Sequence, residues 1–254
     1  MAGRPYVLAE TTYKTVLQND YEVAVLPWGA TEAHNYHLPY ATDNYEAERT
    51  AIEAARLAWE QDARVVVLPS IPFGVNTQQL DIPLTINMNP STQVHILTDV
   101  IKSLEPHKIQ KLVIFNFHGG NNFRQMIRQA QANTSLFVSA VDGHAVVPME
   151  DYFEELGDHA NEMETSLLMH LTPELVLPLS EAGPGTAKQH RVPAFRQGWA
   201  WAPRQWTQVT ADTGVGNPAA ATAEKGARYF DAIAEKVAEF FVDLAAADLE
   251  DMYE

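Results

Sequence analysis

The amino-acid sequence predicts an α/β fold, a doubly wound and mostly parallel sheet flanked by helices. Three observations carry that expectation. Four short apolar runs rich in β-branched residues recur at residues 23–26, 65–68, 112–115 and 136–141. None alternates polar with apolar, as expected of strands covered on both faces. Between them, residues 46–61, 91–104 and 122–133 repeat apolar side chains close to the helical period. Strand–helix alternation of this kind builds right-handed βαβ units and a parallel sheet, with chemistry gathered outside the carboxyl ends of its strands.

The elements follow in order. The helix at 91–104 has a start signal, with Asn89 as N-cap and Pro90 at the first helical position. After the fourth strand, residues 162–171 read as a helix closed by Pro173. Residues 172–217 are rich in Pro, Gly, Gln and Trp and have little periodicity, which in a compact chain points to function or an interface. Residues 218–247 then resume as a long Ala-rich helix, with Asn217 as N-cap and Pro218 at its first position. No internal repeat or linker interrupts the chain, so residues 1–254 are expected to form one domain.

Composition narrows the function. The 254 residues are 46% hydrophobic and 20% charged, enough to bury a core and unlike a disordered tail. Seventeen Lys and Arg against thirty-three Asp and Glu leave a net charge of -16, which repels a phosphate backbone, so no nucleic-acid partner is expected. The absence of cysteine excludes disulfides, iron–sulfur clusters and thiol nucleophiles, and any metal must be held by nitrogen and oxygen. The N-terminus lacks the apolar core of a signal peptide, and no stretch is apolar enough to span a bilayer. A soluble, cytoplasmic protein without a membrane partner is expected.

Three clusters can do chemistry. Residues 27–43, after the first strand, place Glu32, His34, His37 and Asp43 on a Pro-bounded loop. In extended chain Glu32 and His34 project to one side, so the group reads either as metal ligands or as solvated loop polars. Residues 116–122, after the third strand, carry His118 followed by Gly119, Gly120 and Asn121. The glycines allow close backbone approach, and no phosphate-binding pattern accompanies them; the plainer reading is a tight turn. Residues 157–166 carry His159, Glu162 and Glu164 at the start of a helix. The two glutamates are two apart and point different ways on a helix, so at most one serves a shared site. The other is a first-turn acid favoured by the helix dipole.

Together the clusters resemble the creatininase family of creatinine amidohydrolase-like proteins. The family's Glu-x-His, second His before Leu-Pro, and Asp are matched by Glu32, His34, His37 and Asp43. Its Asn-x-His-Gly-Gly-Asn is matched by Asn116 through Asn121, and its His-Ala-Gly-Glu-x-Glu-Thr-Ser by His159 through Ser166. A fourth stretch runs from Gly214 through Pro218 to Gly226. Asn35 and Asn161 stand where the family usually has Gly. The resemblance implies a creatininase-like fold and a dinuclear metal hydrolase of small amides. Glu32, Asp43 and His118 would hold one divalent ion, and His34, Asp43 and Glu164 the other, with Asp43 bridging. The all-nitrogen-and-oxygen set suits Zn, Mn or Fe. Three carboxylates, two divalent cations and one hydroxide sum to zero charge, as a low-dielectric cleft requires.

His159, outside that ligand set, is the expected proton carrier, with Glu164 the second catalytic residue. His37, Gly119, Gly120 and Asn121 are expected near the substrate. Relatives that open creatinine carry Tyr-Glu after the motif His, and that Glu is a ligand; here Gly119 and Gly120 take its place, so creatinine is not the expected substrate. The Gly-Gly form is similar to relatives that act on formamides or trim peptides. The resemblance also implies a ring-like homo-oligomer, often a hexamer. A catalytically inert metal-binding homologue and a metal-free binding protein are the alternatives. The aromatic and basic run at 195–206 reads as a substrate lid, an interface or local packing.

Overall fold

The computed structural model describes residues 3–253; Met1 and Ala2, where the N-terminal reading begins, and Glu254 lie outside them. The apolar runs form strands β1 (Val23–Trp28), β2 (Val65–Val67), β3 (Lys111–Asn116) and β4 (Phe137–Asp142). All pair in parallel, in the order β2-β1-β3-β4. Helices α1 (Thr42–Trp59), α2 (Pro90–Leu104) and α3 (Arg124–Gln131) make the crossovers, and α4 (Glu162–Leu171) and α5 (Ala223–Ala246) follow the sheet.

Successive strand residues face opposite sides. Val23, Val25, Val65, Val67, Val113 and Phe115 share a core with α1, α4 and α5 through Ala51, Leu167, Ile233 and Phe241. Ala24, Leu26, Trp28, Leu112 and Ile114 share the other with α2 and α3 through Leu97, Ile101 and Met126. Covered faces explain the unbroken apolar runs. The alanines of α1 at 47, 51, 54, 55 and 58 are all buried and let helices approach closely. Gly226 has the same use on α5, because a Cβ there would strike the Ser166 carbonyl of α4.

Strand order positions the site. The chain leaves β1 for β2 on one side, then crosses back to β3 on the other. The connections therefore part at the carboxyl ends of β1 and β3, where open parallel sheets bind ligands. Trp28 and Asn116, a registered pair, end these strands and launch the first two clusters.

Several boundaries differ from the sequence expectation. β1 continues through Pro27 because its pairing with β2 ends at Val25–Val67. Pro27 accepts from Ile71 N–H at 2.9 Å toward that side, where no ladder demands its missing donor. β4 is a partly exposed edge strand and is not covered on both faces. Helix α1 starts at Thr42, whose hydroxyl donates to the Pro39 carbonyl at 2.7 Å, so Asp43 sits in a first helical turn and not on a loop. Asn89 occupies the N-cap of α2 without a side-chain cap bond, and α3 is shorter than expected. Helix α5 begins at Ala223, capped by the Thr222 hydroxyl, which accepts from Lys225 N–H; Asn217 only closes a turn onto Ala219. Residues 172–217 are irregular as expected, with short helices at Pro193–Arg196 and Trp206–Val209. No helix among the described residues is long and apolar enough to cross a membrane.

Candidate metal centre

The three clusters meet at the β1–β3 switch point. Glu32 and His34 come from the chain after β1, Asp43 from the first turn of α1, His118 from the chain after β3, and Glu164 from the first turn of α4. All five are buried. Ligand atoms of Glu32, Asp43 and His118 lie within 4.8 Å of one another, as do those of His34, Asp43 and Glu164. Asp43 is common to both sets. His118 Nδ1 is 2.9 Å from both Glu32 Oε1 and Asp43 Oδ2, and His34 Nε2 is 2.8 Å from Asp43 Oδ1 and 4.0 Å from Glu164 Oε2.

Each imidazole is anchored on its far side by a backbone carbonyl, which can only accept. His34 Nδ1 donates to the Glu32 carbonyl at 3.2 Å, His118 Nε2 to that of Val75 at 3.1 Å, and His159 Nε2 to that of Ala33 at 2.8 Å. These bonds fix the neutral tautomers, leaving His34 Nε2, His118 Nδ1 and His159 Nδ1 as lone pairs. Those of His34 and His118 face carboxylate oxygens at close range, where two lone pairs repel unless a cation lies between. His34 Nε2 and Asp43 Oδ2 are also buried without a hydrogen bond of acceptable geometry. The donor set therefore fits divalent cations at both positions.

Electrostatics point the same way. Burial alone would lower the His34 pKa, but Asp43, then Glu164 and Glu32, outweigh it and push His34 up to about 10. His118 rises well above its ordinary value, burial again being overcome by Glu32 and Asp43. Burial would raise Glu32 and Asp43; the facing histidines hold both carboxylates below their ordinary values instead. Protons on these imidazoles take the positions that metal cations would occupy.

The remaining expected residues are distributed around this centre. His159 packs between His34, at a ring distance of 4.1 Å, and Trp206, at 4.7 Å, with Nδ1 3.9 Å from Glu32 Oε1. Glu32, His34 and His159 form a third set of mutually close ligand atoms. Glu162 points away from the centre: Lys225 donates to it at 2.6 Å, as do the N–H groups of Glu154 and Glu155 at 2.9 and 2.7 Å. His37 is not brought into the carboxylate cluster. Its Nε2 meets the Thr165 hydroxyl at 2.9 Å, and burial with the nearby His34 pushes it down to about 4. Asn121 spends its amide on the protein, donating to Asn116 Oδ1 at 2.9 Å and accepting from Val75 N–H and Gln93 at 3.1 and 2.8 Å. It positions the His118 turn. Gly119 faces open space, whereas a Cβ at Gly120 would strike the His118 imidazole and the Val75 carbonyl. Asn35 has a left-handed φ of 53°, which explains glycine at this position in the family. Its amide holds that conformation by bridging to Gly183 O at 3.0 Å and Gly183 N–H at 2.8 Å. Asn161 accepts from Glu164 N–H at 3.1 Å as the N-cap of α4.

Sequence reasoning missed several contributors. Gln79 donates to Glu32 Oε2, and the Val75 carbonyl anchors His118; neither has a local sequence signal. Glu46 is fully buried, and neither carboxylate oxygen has a hydrogen-bond partner. Burial, with Glu164 and Asp43 nearby, raises its pKa well above the ordinary value. Its signal was available, since it is an acid on the otherwise small, buried stripe of α1.

The fold and the cluster define an α/β protein with a buried histidine–carboxylate centre at its sheet switch point. The chain belongs to the creatininase (creatinine amidohydrolase) family, which it matches over residues 8–241, and is thereby a hydrolase of that family. It is 29% identical over 231 residues to a mycofactocin precursor peptide peptidase of Mycobacterium ulcerans, covering 87% of this chain and 84% of that one. A crystal structure from Bacteroides fragilis, described provisionally as a creatinine amidohydrolase, superimposes with a TM-score of 0.92 at 43% identity, over 98% of this chain and 99% of that chain. A mutant creatininase described as the Zn-Zn type has the same fold, with a TM-score of 0.76 at 21% identity over 96% of this chain and 100% of its own.

Proposed function

We propose that the protein is a single-domain, cytoplasmic, dinuclear-metal amidohydrolase that cleaves a C–N bond of a small or cyclic amide other than creatinine. The observation that carries this reading is the set of carbonyl-anchored imidazoles aimed at shared carboxylates, with Asp43 facing both positions. Glu32, Asp43 and His118 would hold one divalent ion, and His34, Asp43 and Glu164 the other. When bound, such a pair supplies an activated water and polarises the amide carbonyl.

The chain's own residues provide the rest. His159 Nε2 is committed to Ala33 O, so its Nδ1 can accept a proton from the attacking water and return it to the departing nitrogen. That return is needed because an amide anion is a poor leaving group at neutral pH. Gly120 supports the exclusion of creatinine: the creatinine-opening relatives place a carboxylate ligand there, and the space where a side chain would begin is filled by His118 and Val75. The peptidase relative favours open-chain amides among the candidates. A second reading makes His159 a metal ligand, since it lies in the third close set with Glu32 and His34.

The test is metal quantification combined with a hydrolysis screen over cyclic amides, formamides, short peptides and creatinine. About two divalent ions per chain are expected. Turnover should be found on an amide in the screen, with creatinine inert beside it. His118→Ala should lose activity and at least one ion; retention of both ions overturns the ligand assignment. Two ions without turnover on any amide would make the chain an inert metal-binding homologue.

A further inference from the structure

Two of the three side chains assigned to the first ion position are held from behind by one short segment. Residues 75–79 lie on the connection from β2 to α2. The Val75 carbonyl accepts from His118 Nε2 at 3.1 Å, and the Gln79 amide donates to Glu32 Oε2. The segment is itself pinned. Val75 N–H donates to Asn121 Oδ1 at 3.1 Å, Asn76 N–H to Asn87 Oδ1 at 2.8 Å, and Gln79 N–H to the Asn76 carbonyl at 3.0 Å. The second position is supported elsewhere, with His34 on the Glu32 carbonyl and Glu164 Oε2 accepting from Ala160 N–H.

Gln79 is buried, and its partner dictates how its amide is turned. A carboxylate that holds a cation only accepts hydrogen bonds, so the amide must present its NH2 to Glu32. That orientation leaves Gln79 Oε1 buried with no hydrogen-bond partner in the protein. Turning the amide over would set its carbonyl against the carboxylate, acceptor facing acceptor. The glutamine thus gives up its own acceptor to secure one oxygen of Glu32. The other oxygen, Oε1, is left 2.9 Å from His118 Nδ1, and Asp43 Oδ2 is 2.9 Å from the same nitrogen. Glu32 Oε1, Asp43 Oδ2 and His118 Nδ1 then make three single-atom donors. Three protein donors with a fourth place open are the pattern of a catalytic zinc position, and a carboxylate that gave both oxygens would fill the open place.

We propose that Gln79 is a positioning residue of this centre: its amide confines Glu32 to one-oxygen ligation of the first ion and so keeps a coordination place open there. The inference rests on the dinuclear reading and deepens it, since it assigns an open place to one of the two positions. Gln79 does not touch the reacting atoms; it acts through Glu32. Without its donor, Glu32 Oε2 is free to turn toward the ion. The Val75 anchor on His118 stays in place, so the effect is confined to the carboxylate.

Cobalt(II) titration read by visible absorption tests this without turnover, because the band weakens as coordination rises above four. Two backgrounds isolate the positions: Glu164→Gln leaves the first, and His118→Ala leaves the second. In Glu164→Gln, adding Gln79→Met (about the same length, no donor) should weaken cobalt binding roughly tenfold to a hundredfold, the usual cost of losing a group that orients a metal ligand. The band per bound cobalt should fall as well. In His118→Ala the same addition should change neither. Gln79→Leu replaces Gln79→Met in both comparisons if circular dichroism shows the latter unfolded. Unchanged affinity in Glu164→Gln, equal weakening in both backgrounds, or weaker binding with an unaltered band overturns the proposal; the last two would make Gln79 a support of its loop. Failure of the dinuclear reading appears separately, as wild type that takes up fewer than two cobalt ions. Two bound ions, with Gln79→Met indistinguishable from wild type, fail this inference alone.

Discussion

His159 and Glu46 make the sharpest claims about single residues. His159→Gln should leave metal content unchanged and lower kcat by roughly 10²–10⁴, the usual worth of a positioned acid–base group. Measured together, the two readouts separate its roles, because loss of an ion makes it a ligand and near-full kcat moves the proton elsewhere. Glu46 carries a different burden. Its folded pKa is raised by burial, then by Glu164 and Asp43, so the folded chain holds this proton more tightly than the unfolded chain. As pH rises above the ordinary glutamate range, ionisation of the unfolded chain therefore favours unfolding. Glu46→Gln, which removes this ionisation while burying a polar group of the same shape, should be more stable than wild type at pH 7 in chelator. The gain should vanish near pH 4 in denaturant titrations and shrink when metal is restored.

Among the elements, the packing of α4 on α5 holds Glu164 in place. Gly226 lies against the Ser166 carbonyl, and Lys225 bridges to Glu162 in the first turn of α4. Gly226→Val would force the helices apart and is expected to cost about 1–3 kcal/mol by overpacking. On the proposed ligand assignment, the ion at Glu164 should be lost before the ion at His118, read as release of one ion and retention of the other during dialysis. The sheet and the histidine–carboxylate clusters just past β1 and β3 were legible in the sequence, because unbroken apolar runs and polar residues following them are local patterns. The start of α1 was not, since it depends on Thr42 folding back onto Pro39. The environment of the centre was illegible for a related reason: Gln79 and the Val75 carbonyl reach it across long loops, and a backbone carbonyl has no residue signature. Helix geometry divided Glu162 from Glu164 and the family resemblance chose Glu164 for the centre; what had no local signal was the partner of Glu162, Lys225, 63 residues further on.

At the scale of the whole molecule, the centre links stability to pH and metal. In the metal-free protein His34 is pushed up to about 10 by its carboxylates. A raised folded pKa contributes stability that is fully present below the unfolded value near 6.5 and is lost as pH rises through about 10. Chelator-treated protein should thus lose thermal stability between about pH 6.5 and 10, with His118 adding to the effect in the same direction. Metal-loaded protein should be flatter over that interval, with a higher Tm that depends on free metal concentration. Equal alkaline slopes with and without metal, read by calorimetric scans, would mean that protons and cations do not share these positions.

The β1–β3 pairing also imposes a history on the molecule. Glu32, Asp43 and His118 are brought together as soon as β3 docks beside β1. The partner set needs Glu164, whose helix α4 is fastened to the C-terminal α5 through Glu162 and Lys225. On the proposed dinuclear reading, the first ion position could be complete before the second as the chain folds. Time-resolved metal uptake during refolding is expected in two phases, the slower coinciding with closure of α5. In Gly226→Val only the second phase should be delayed. On that reading a nascent chain would carry its first ion before it could hold a second, and activity would await the last helix to arrive.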